Sequence, residues 1–267
     1  MPSSLTPRLD GRNIVVTGCS RGLGEAIVHR LTELGAHVAA VSRSGPIVAD
    51  LADPAAPAAI AAALPWERVD GLVNNAGMVG PIGPLAAVDW DEWETTIRVN
   101  LLAPAALCRL LIPRMSAGGS IVNLSGGGAT GPRPNFGAYA TAKAGLVRFT
   151  ENLAVELAPQ KIRVNAVAPG AMNTRMLEAV LEAGAAAAGK EFSSAVSQKE
   201  KGGVPPEKPA ELIAWLVSSA SEGVSGRLIS AVWDPWPALG ERAGELAASD
   251  IYTLRRITPE DRGKKWD

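Results

Sequence analysis

The chain has 267 residues, a length that bounds it to one or two domains. Its 26 basic and 27 acidic side chains leave a net charge of −1, which gives no electrostatic footprint for nucleic acid or an anionic membrane surface. With 47% hydrophobic and 20% charged residues it can bury a sizeable core and does not have the composition of a disordered chain.

In chain order, short apolar runs alternate with helix-period patterns. A strand at 13–17 precedes a helix at 23–34, and a strand at 37–42 is followed, after residues 47–49, by a helix at 54–64. A strand at 71–74 leads to a long helix at 90–115, with Asp89 as its N-cap and Pro104 kinking it. Strands at 120–124, 163–168 and 227–232 alternate with helices at 139–157, 176–188 and 209–219. Repeated strand-helix units of this kind predict an α/β fold around a doubly wound parallel sheet. No internal repeat or interdomain linker is visible. A parallel crossover takes about a dozen residues, yet only Arg43 to Pro46 separates the second strand from Ile47-Val48-Ala49. Either the edge strand and its helix are both missing or that segment is only an extended passage; six core strands are expected, with no helix between residues 43 and 50.

The scarce residues narrow the chemistry. His29 and His37 lie inside apolar patterns, away from a nucleophile or a second metal ligand, which argues against zinc hydrolysis and a Ser-His-Asp triad. Cys19 and Cys108 lie far apart and outside any CxxC pair, so no disulfide framework or metal site is expected and a reducing, cytoplasmic setting fits. Residues 1–10 lack a leader pattern and no stretch reaches the ~20 apolar residues that span a bilayer, so a soluble, unprocessed protein is expected.

The first strand runs into Thr17-Gly18-Cys19-Ser20-Arg21-Gly22-Leu23-Gly24 and then a helix. Glycines let a backbone turn tightly and approach a pyrophosphate, and the free N–H groups of the helix N-terminus supply donors. The spacing is Gly-x3-Gly-x-Gly rather than GxGxxG; glycines also serve ordinary strand-to-helix turns, and Cys19 reads as a small residue within this one. Downstream come Asn74-Asn75-Ala76-Gly77, Asn100, Tyr139-x3-Lys143 and Pro169-Gly170.

Together, in this order, these motifs resemble the short-chain dehydrogenase/reductase family in its simple, non-extended branch, over residues 11–232. The resemblance implies a Rossmann fold, a nicotinamide cofactor, and a homodimer or homotetramer built on the helices at 90–115 and 139–157. It implies cofactor contacts from Gly18, Ser20, Arg21, Gly22, Leu23, Gly24, Asn75, Ala76 and Gly77, from Tyr139 and Lys143, and from Pro169, Gly170 and Thr174. Asp50 and Leu51 match the pair that caps the adenine. An enzyme for NAD carries a carboxylate at the end of the second strand, which would repel a 2′-phosphate. Ser42 stands there instead, with Arg43 beside it and Arg21 able to reach the same phosphate, so NADP(H) is expected over NAD(H).

Tyr139 and Lys143 lie one helical turn apart on one face. To act near pH 7 the tyrosine must fall from about 10, roughly 4 kcal/mol of preference for the phenolate. Lys143 is the cation the sequence offers for this. The resemblance implies that Tyr139 exchanges a proton with the substrate oxygen, that Lys143 also bonds the nicotinamide ribose, and that Asn100 holds a helix distortion and a water leading to Lys143. Ser125, before Gly126-Gly127-Gly128, is one residue farther from Tyr139 than the family's usual serine. Gly126 takes that place in the commonest register, and Ser125 is assigned the substrate-orienting hydroxyl because the glycines can absorb the shift.

The resemblance implies that substrate choice falls to the loop holding Arg133, Asn135 and Phe136 and to residues 174–206; their polarity suits a polyhydroxylated or acidic molecule better than a steroid. Residues 1–232 read as the nucleotide-binding catalytic domain. Residues 233–267 read as an extension whose Trp233, Trp236, Ile251, Tyr252, Leu254, Arg255, Arg256 and Trp266 pack on their own or a neighbouring subunit, or over the substrate mouth. The expected activity is hydride transfer between NADP(H) and a ketone/secondary-alcohol pair. A 3-oxoacyl thioester reductase and a non-catalytic NADP-binding regulator are the alternatives.

Overall fold

Alternation along the first strand, β1 (Asn13–Thr17), sends Ile14 and Val16 to one face and Val15 to the other, and both faces are apolar. A strand buried on both sides is what a parallel sheet between two helix layers requires. The computed structural model describes residues 7–266 and has that arrangement. The sheet order is β3-β2-β1-β4-β5-β6-β7, every pair parallel, with β2 (His37–Ser42), β3 (Ile47–Val48), β4 (Val69–Asn74), β5 (Met115–Leu124), β6 (Arg163–Ala168) and β7 (Leu228–Ser230). On one face α1 (Gly22–Glu33) and α8 (Glu207–Val217) pack Ile27, Leu31, Leu212 and Leu216 against Val16, Val73, Val122 and Val167. On the other, α2 (Ala56–Ala63), α4 (Ala103–Leu111) and α5 (Gly137–Leu157) bring Ile60, Leu107, Leu111 and Leu153 onto Val15, Leu72, Ile121 and Val164. Each such buried aliphatic side chain contributes about 1.5–3 kcal/mol.

Seven strands replace the expected six. Ile47 and Val48 pair in parallel with Val41 and Ser42, so the edge strand exists while its crossover helix is missing. On the α1 side β3 has no helix over it: Val48 is 71% exposed, and a groove of about 390 Å³ opens between α1 and Ala40, Ser42 and Gly45.

The helix expected over 90–115 is two helices, α3 (Trp90–Ile97) and α4, joined by a π turn at Arg98–Leu102. Asp89 caps α3 by accepting from Glu92 N at 2.8 Å. The distortion precedes Pro104 rather than sitting on it: proline offers no N–H to the carbonyl one turn back, and its ring displaces that turn. The run Trp90–Arg114 is, contrary to expectation, long and apolar enough to span a bilayer by length and composition. Its apolar side, Val99, Ala103, Leu107 and Leu111, is spent on the sheet. A further helix that the sequence did not disclose, α7 (Lys190–Lys201), follows α6 (Arg175–Ala188) across Gly189.

After β7 the chain returns along its own domain. Leu239 and Leu246 are buried in the first core, the latter on α9 (Ala243–Ala247), and Trp236 lies 6.0 Å from Trp215. Arg227 donates to the carbonyls of Ser249 (3.0 Å), Ile251 (2.8 Å) and Leu246. The amides of Leu228 and Ser230 donate to Tyr252 O (2.8 Å) and Asp234 Oδ2 (2.6 Å). Trp233 and Trp266, two of the expected anchors, are 84% and 78% exposed in the single chain. Residues 1–6 and Asp267, which bear on the expected absence of a leader and on the end of the extension, lie outside the described residues.

Candidate active site

The glycine loop is fixed from β4. The Thr17 hydroxyl accepts from the amides of Asn75 and Ala76, both at 3.1 Å, while Asn75 Nδ2 donates to Thr17 O (2.9 Å) and Gly18 O (3.0 Å). A Cβ at Gly18 would come within 2.7 Å of Ala76 Cα, and one at Gly24 would overlap the Gly18 carbonyl. The loop can therefore lie this close only with glycine at both positions. Arg21 precedes α1 with no side-chain cap, so the first-turn N–H groups stay open to an anion. In front of them lies a cleft of about 220 Å³ bounded by Gly22, Leu23, Met172, Asn173, Thr174 and the 203–206 segment. Nothing lies within 4 Å of a Cβ position on Gly22, so the cradle is bare backbone and fits a dinucleotide pyrophosphate. Gly170, at φ +92°, packs its bare Cα against Val232 and Val204.

Around the loop the expected residues divide. Arg21 and Arg43 are exposed, as is Ser20, at the same strand ends. Ser42 is buried and its hydroxyl accepts from Ser44 N at 3.3 Å, which ties it to the β2–β3 turn. Asp50 closes a turn onto Ala52 N (3.0 Å), and Leu51 is buried in the second core. Cys19 donates its thiol to Val16 O at 2.9 Å, and burial pushes it up to about 12, so it is a small, inert loop residue.

At the other end, Tyr139 and Lys143 are buried on the first turns of α5. Lys143 Nζ donates to Leu124 O at 2.8 Å and sits 5.7 Å from the tyrosine ring centre. Burial pushes the Tyr139 phenol up to about 12, opposed by the positive charge of Arg133; burial lowers the Lys143 ammonium to about 8. Asn100, in the π turn, donates to Met78 O (2.8 Å) and Thr96 O (2.9 Å) and accepts from Met78 N (3.3 Å), fixing the segment after β4. A Cβ at Gly77 would lie 2.8 Å from Asn100 Oδ1 and 3.6 Å from Lys143 Nζ, which brings these three together.

The structure does not join Ser125 to them. Its hydroxyl is buried and has no hydrogen-bond partner among the described residues. The position facing the phenol is 126, where a Cβ would overlap Tyr139 Oη. A buried ladder that sequence reading missed registers α5 on the sheet: Asn74 Nδ2 donates to Asn123 Oδ1 (2.8 Å), Asn123 Nδ2 to Thr150 Oγ1 (2.9 Å), and that hydroxyl to Leu146 O (2.8 Å). Its only signal was an asparagine in the middle of an apolar strand.

Helices α6 and α7 lie over this site. Fully buried Phe136 packs with Val180, Ala188 and Ala195. Asn135 Nδ2 donates to Ala187 O (2.8 Å), Arg133 pairs with Glu191 (2.8 Å), and Val204 N closes the base of the segment on Ala171 O (2.8 Å).

A family model described as enoyl-(acyl carrier protein) reductase matches residues 18–231, most of the chain. The chain belongs to the short-chain dehydrogenase/reductase family. It is an oxidoreductase of that family's type, similar to the 3beta-hydroxysteroid dehydrogenase 1 of Eggerthella lenta, with 35% identity over 82% of this chain and 91% of that protein. Among solved structures, the ligand-free aldohexose dehydrogenase of Thermoplasma acidophilum shares the fold at a TM-score of 0.73 and 27% identity, covering 83% of this chain and 92% of that one. A blue fluorescent protein from a metagenomic library, solved in complex with NADPH, matches at a TM-score of 0.72 and 30% identity over 84% and 97% of the two chains.

In this short-chain dehydrogenase/reductase the bare Cα at 126 is a requirement of the phenol's position. Gly126→Ala is expected to displace the phenol by about 1 Å, and kcat for carbonyl reduction should fall about 100-fold if Tyr139 Oη is a reacting group, with the dinucleotide Kd within about two-fold. An unchanged kcat would show that Tyr139 Oη works from elsewhere.

Proposed function

We propose that the protein is an NADP(H)-dependent oxidoreductase interconverting a ketone and a secondary alcohol. The observation that carries this is the burial of Tyr139 and Lys143 side by side on α5, with Asn100 closing the third side next to Lys143. When bound at the glycine loop, the dinucleotide supplies the hydride in reduction and accepts it in oxidation. Tyr139, held protonated by burial, delivers its proton to the substrate oxygen as the carbonyl carbon is reduced, and takes it back in the oxidative direction. Lys143 places a cation beside the phenol and favours its ionised form once the proton has left. Asn100 holds Met78 and the π turn, and a water next to it would return protons toward Lys143. Ser125 has no part in this reading: its hydroxyl is buried without a partner among the described residues, and the position that faces the phenol is Gly126.

Support for the phosphorylated dinucleotide comes from Arg21 and Arg43, both exposed at the end of the sheet where Ser42 stands in place of a carboxylate. A similar structure was solved with NADPH. Steady-state kinetics with NADPH and NADH test this. A clear preference for NADPH is expected, and Arg43→Ala should raise its KM about ten-fold, the worth of one charge-assisted contact, leaving the constants for NADH unchanged. A preference for NADH overturns the assignment.

A further inference from the structure

The reaction above uses one cation, Lys143, yet a second stands over the same tyrosine without a role in it. Arg133 places its guanidinium 4.1 Å over the Phe136 ring and 5.6 Å from the Tyr139 ring centre. Its side chain is only 14% exposed. A charge withdrawn this far from water needs a counter-ion. The one it has is Glu191, held through a single bond from Nη2 at 2.8 Å and itself 39% exposed on α7. Nη1 and Nε have no protein partner among the described residues, and the guanidinium borders the bare backbone of Gly127, where even a Cβ would stand 3.7 Å from Nη1. A guanidinium offers a planar fork of donors that matches a carboxylate, and here most of the fork is unused beside the reacting phenol.

We propose that Arg133 is the specificity-determining residue of this enzyme and that its substrate is an oxo acid or hydroxy acid. The substrate carboxylate is received by the Arg133 fork while its carbonyl or hydroxyl carbon lies at Tyr139. Glu191 is the internal stand-in for that carboxylate: it neutralises Arg133 while the site is free of substrate and yields the fork when one binds. Because Glu191 belongs to the α6–α7 segment that also clasps Phe136 and Asn135, the exchange couples substrate charge to the seating of that segment. A neutral ketone finds Arg133 already paired and gains nothing from it. The inference rests on the carbonyl chemistry proposed above and names its substrate class.

The test compares a series of oxo acids of increasing chain length, each beside its methyl ester, as substrates with NADPH. For the best pair the wild type should favour the acid. Arg133→Gln should lower the acid-to-ester ratio of kcat/KM about 100-fold, the loss expected for a bidentate charged contact, and Arg133→Lys should restore part of it. Glu191→Gln should raise the ratio about three-fold, as removing a half-exposed competing ion would. An ester preference in the wild type for every pair, or an Arg133→Gln ratio equal to the wild type's, overturns the proposal and leaves the Arg133 and Glu191 pair a structural clasp. If NADPH binds but no carbonyl is turned over, the chemistry of the previous section fails instead. Calorimetric titration of the acids and their amides into the NADP complex then decides the carboxylate question: acid-selective binding lost in Arg133→Gln upholds it, and equal binding of acid and amide overturns it.

Discussion

Tyr139→Phe is expected to lower kcat for carbonyl reduction by about 1,000-fold, the loss of one positioned general acid. The dinucleotide should still bind with a Kd within about two-fold of the wild type's, because the glycine cradle and the Asn75 ties that hold it are remote from the phenol hydroxyl. The substitution keeps the buried ring, with its contacts to Arg133 and Lys143, and removes only the hydroxyl facing Gly126. Fold and cofactor affinity are thereby separated from chemistry, which pre-steady-state NADPH oxidation would read directly. A variant that retains wild-type turnover would remove Tyr139 from the reaction. A wild type that binds NADPH but turns over no ketone would make the chain a nucleotide-binding regulator.

The second large effect concerns Lys143, where stability and activity oppose each other. Burial lowers its ammonium from the ordinary 10.5 to about 8. The folded state therefore binds fewer protons than the unfolded one between these values, and stability rises with pH through that window. Below pH 8 the cost of keeping a buried ammonium is fully present, about 3 kcal/mol at pH 7. Lys143→Met removes that cost and also the charge-assisted bond to Leu124 O, worth about 2 kcal/mol, so the ligand-free variant is expected to be more stable by about 1 kcal/mol at pH 7. Its advantage should disappear by pH 10.5, as the wild type loses the buried charge. Urea unfolding at both pH values measures this, and carbonyl reduction should fall at least about 100-fold in the same variant. A variant less stable than the wild type at pH 7 would show that the lysine is not carrying an unpaid charge in the fold.

Strand-helix alternation was legible wherever the hydrophobic period was clean, as at Asn13–Thr17 and His37–Ser42, because burial on both faces leaves a continuous apolar run. The short spacing after Ser42 correctly located an absent crossover, but two residues are too few to carry a periodicity, so the edge strand at Ile47–Val48 went uncounted. Helix α7 escaped because Lys190–Lys201 is mostly polar and buries only Ala195; its place is set by the Phe136 cluster beneath it. Around the site, the order of the motifs located Asn100, Tyr139 and Lys143. Which of Ser125 and Gly126 faces the phenol depends on how the chain leaves β5, and the partnership of Arg133 with Glu191 on a distant helix leaves no mark on local sequence.

The way β7 is finished bears on how this molecule can meet others of its kind. A short strand at the end of a parallel sheet would ordinarily offer outward amides to any passing chain, and sheets join through such borders. Here the outward amides of Leu228 and Ser230 are already engaged by Tyr252 and Asp234 from the same polypeptide, and Arg227 clamps the returning segment through three carbonyls. Growth of the sheet past this border is closed, whereas the opposite border, β3, is untouched by this device. On the side-chain surfaces, Leu102 in the π turn and Val155 on α5 stand out in solvent.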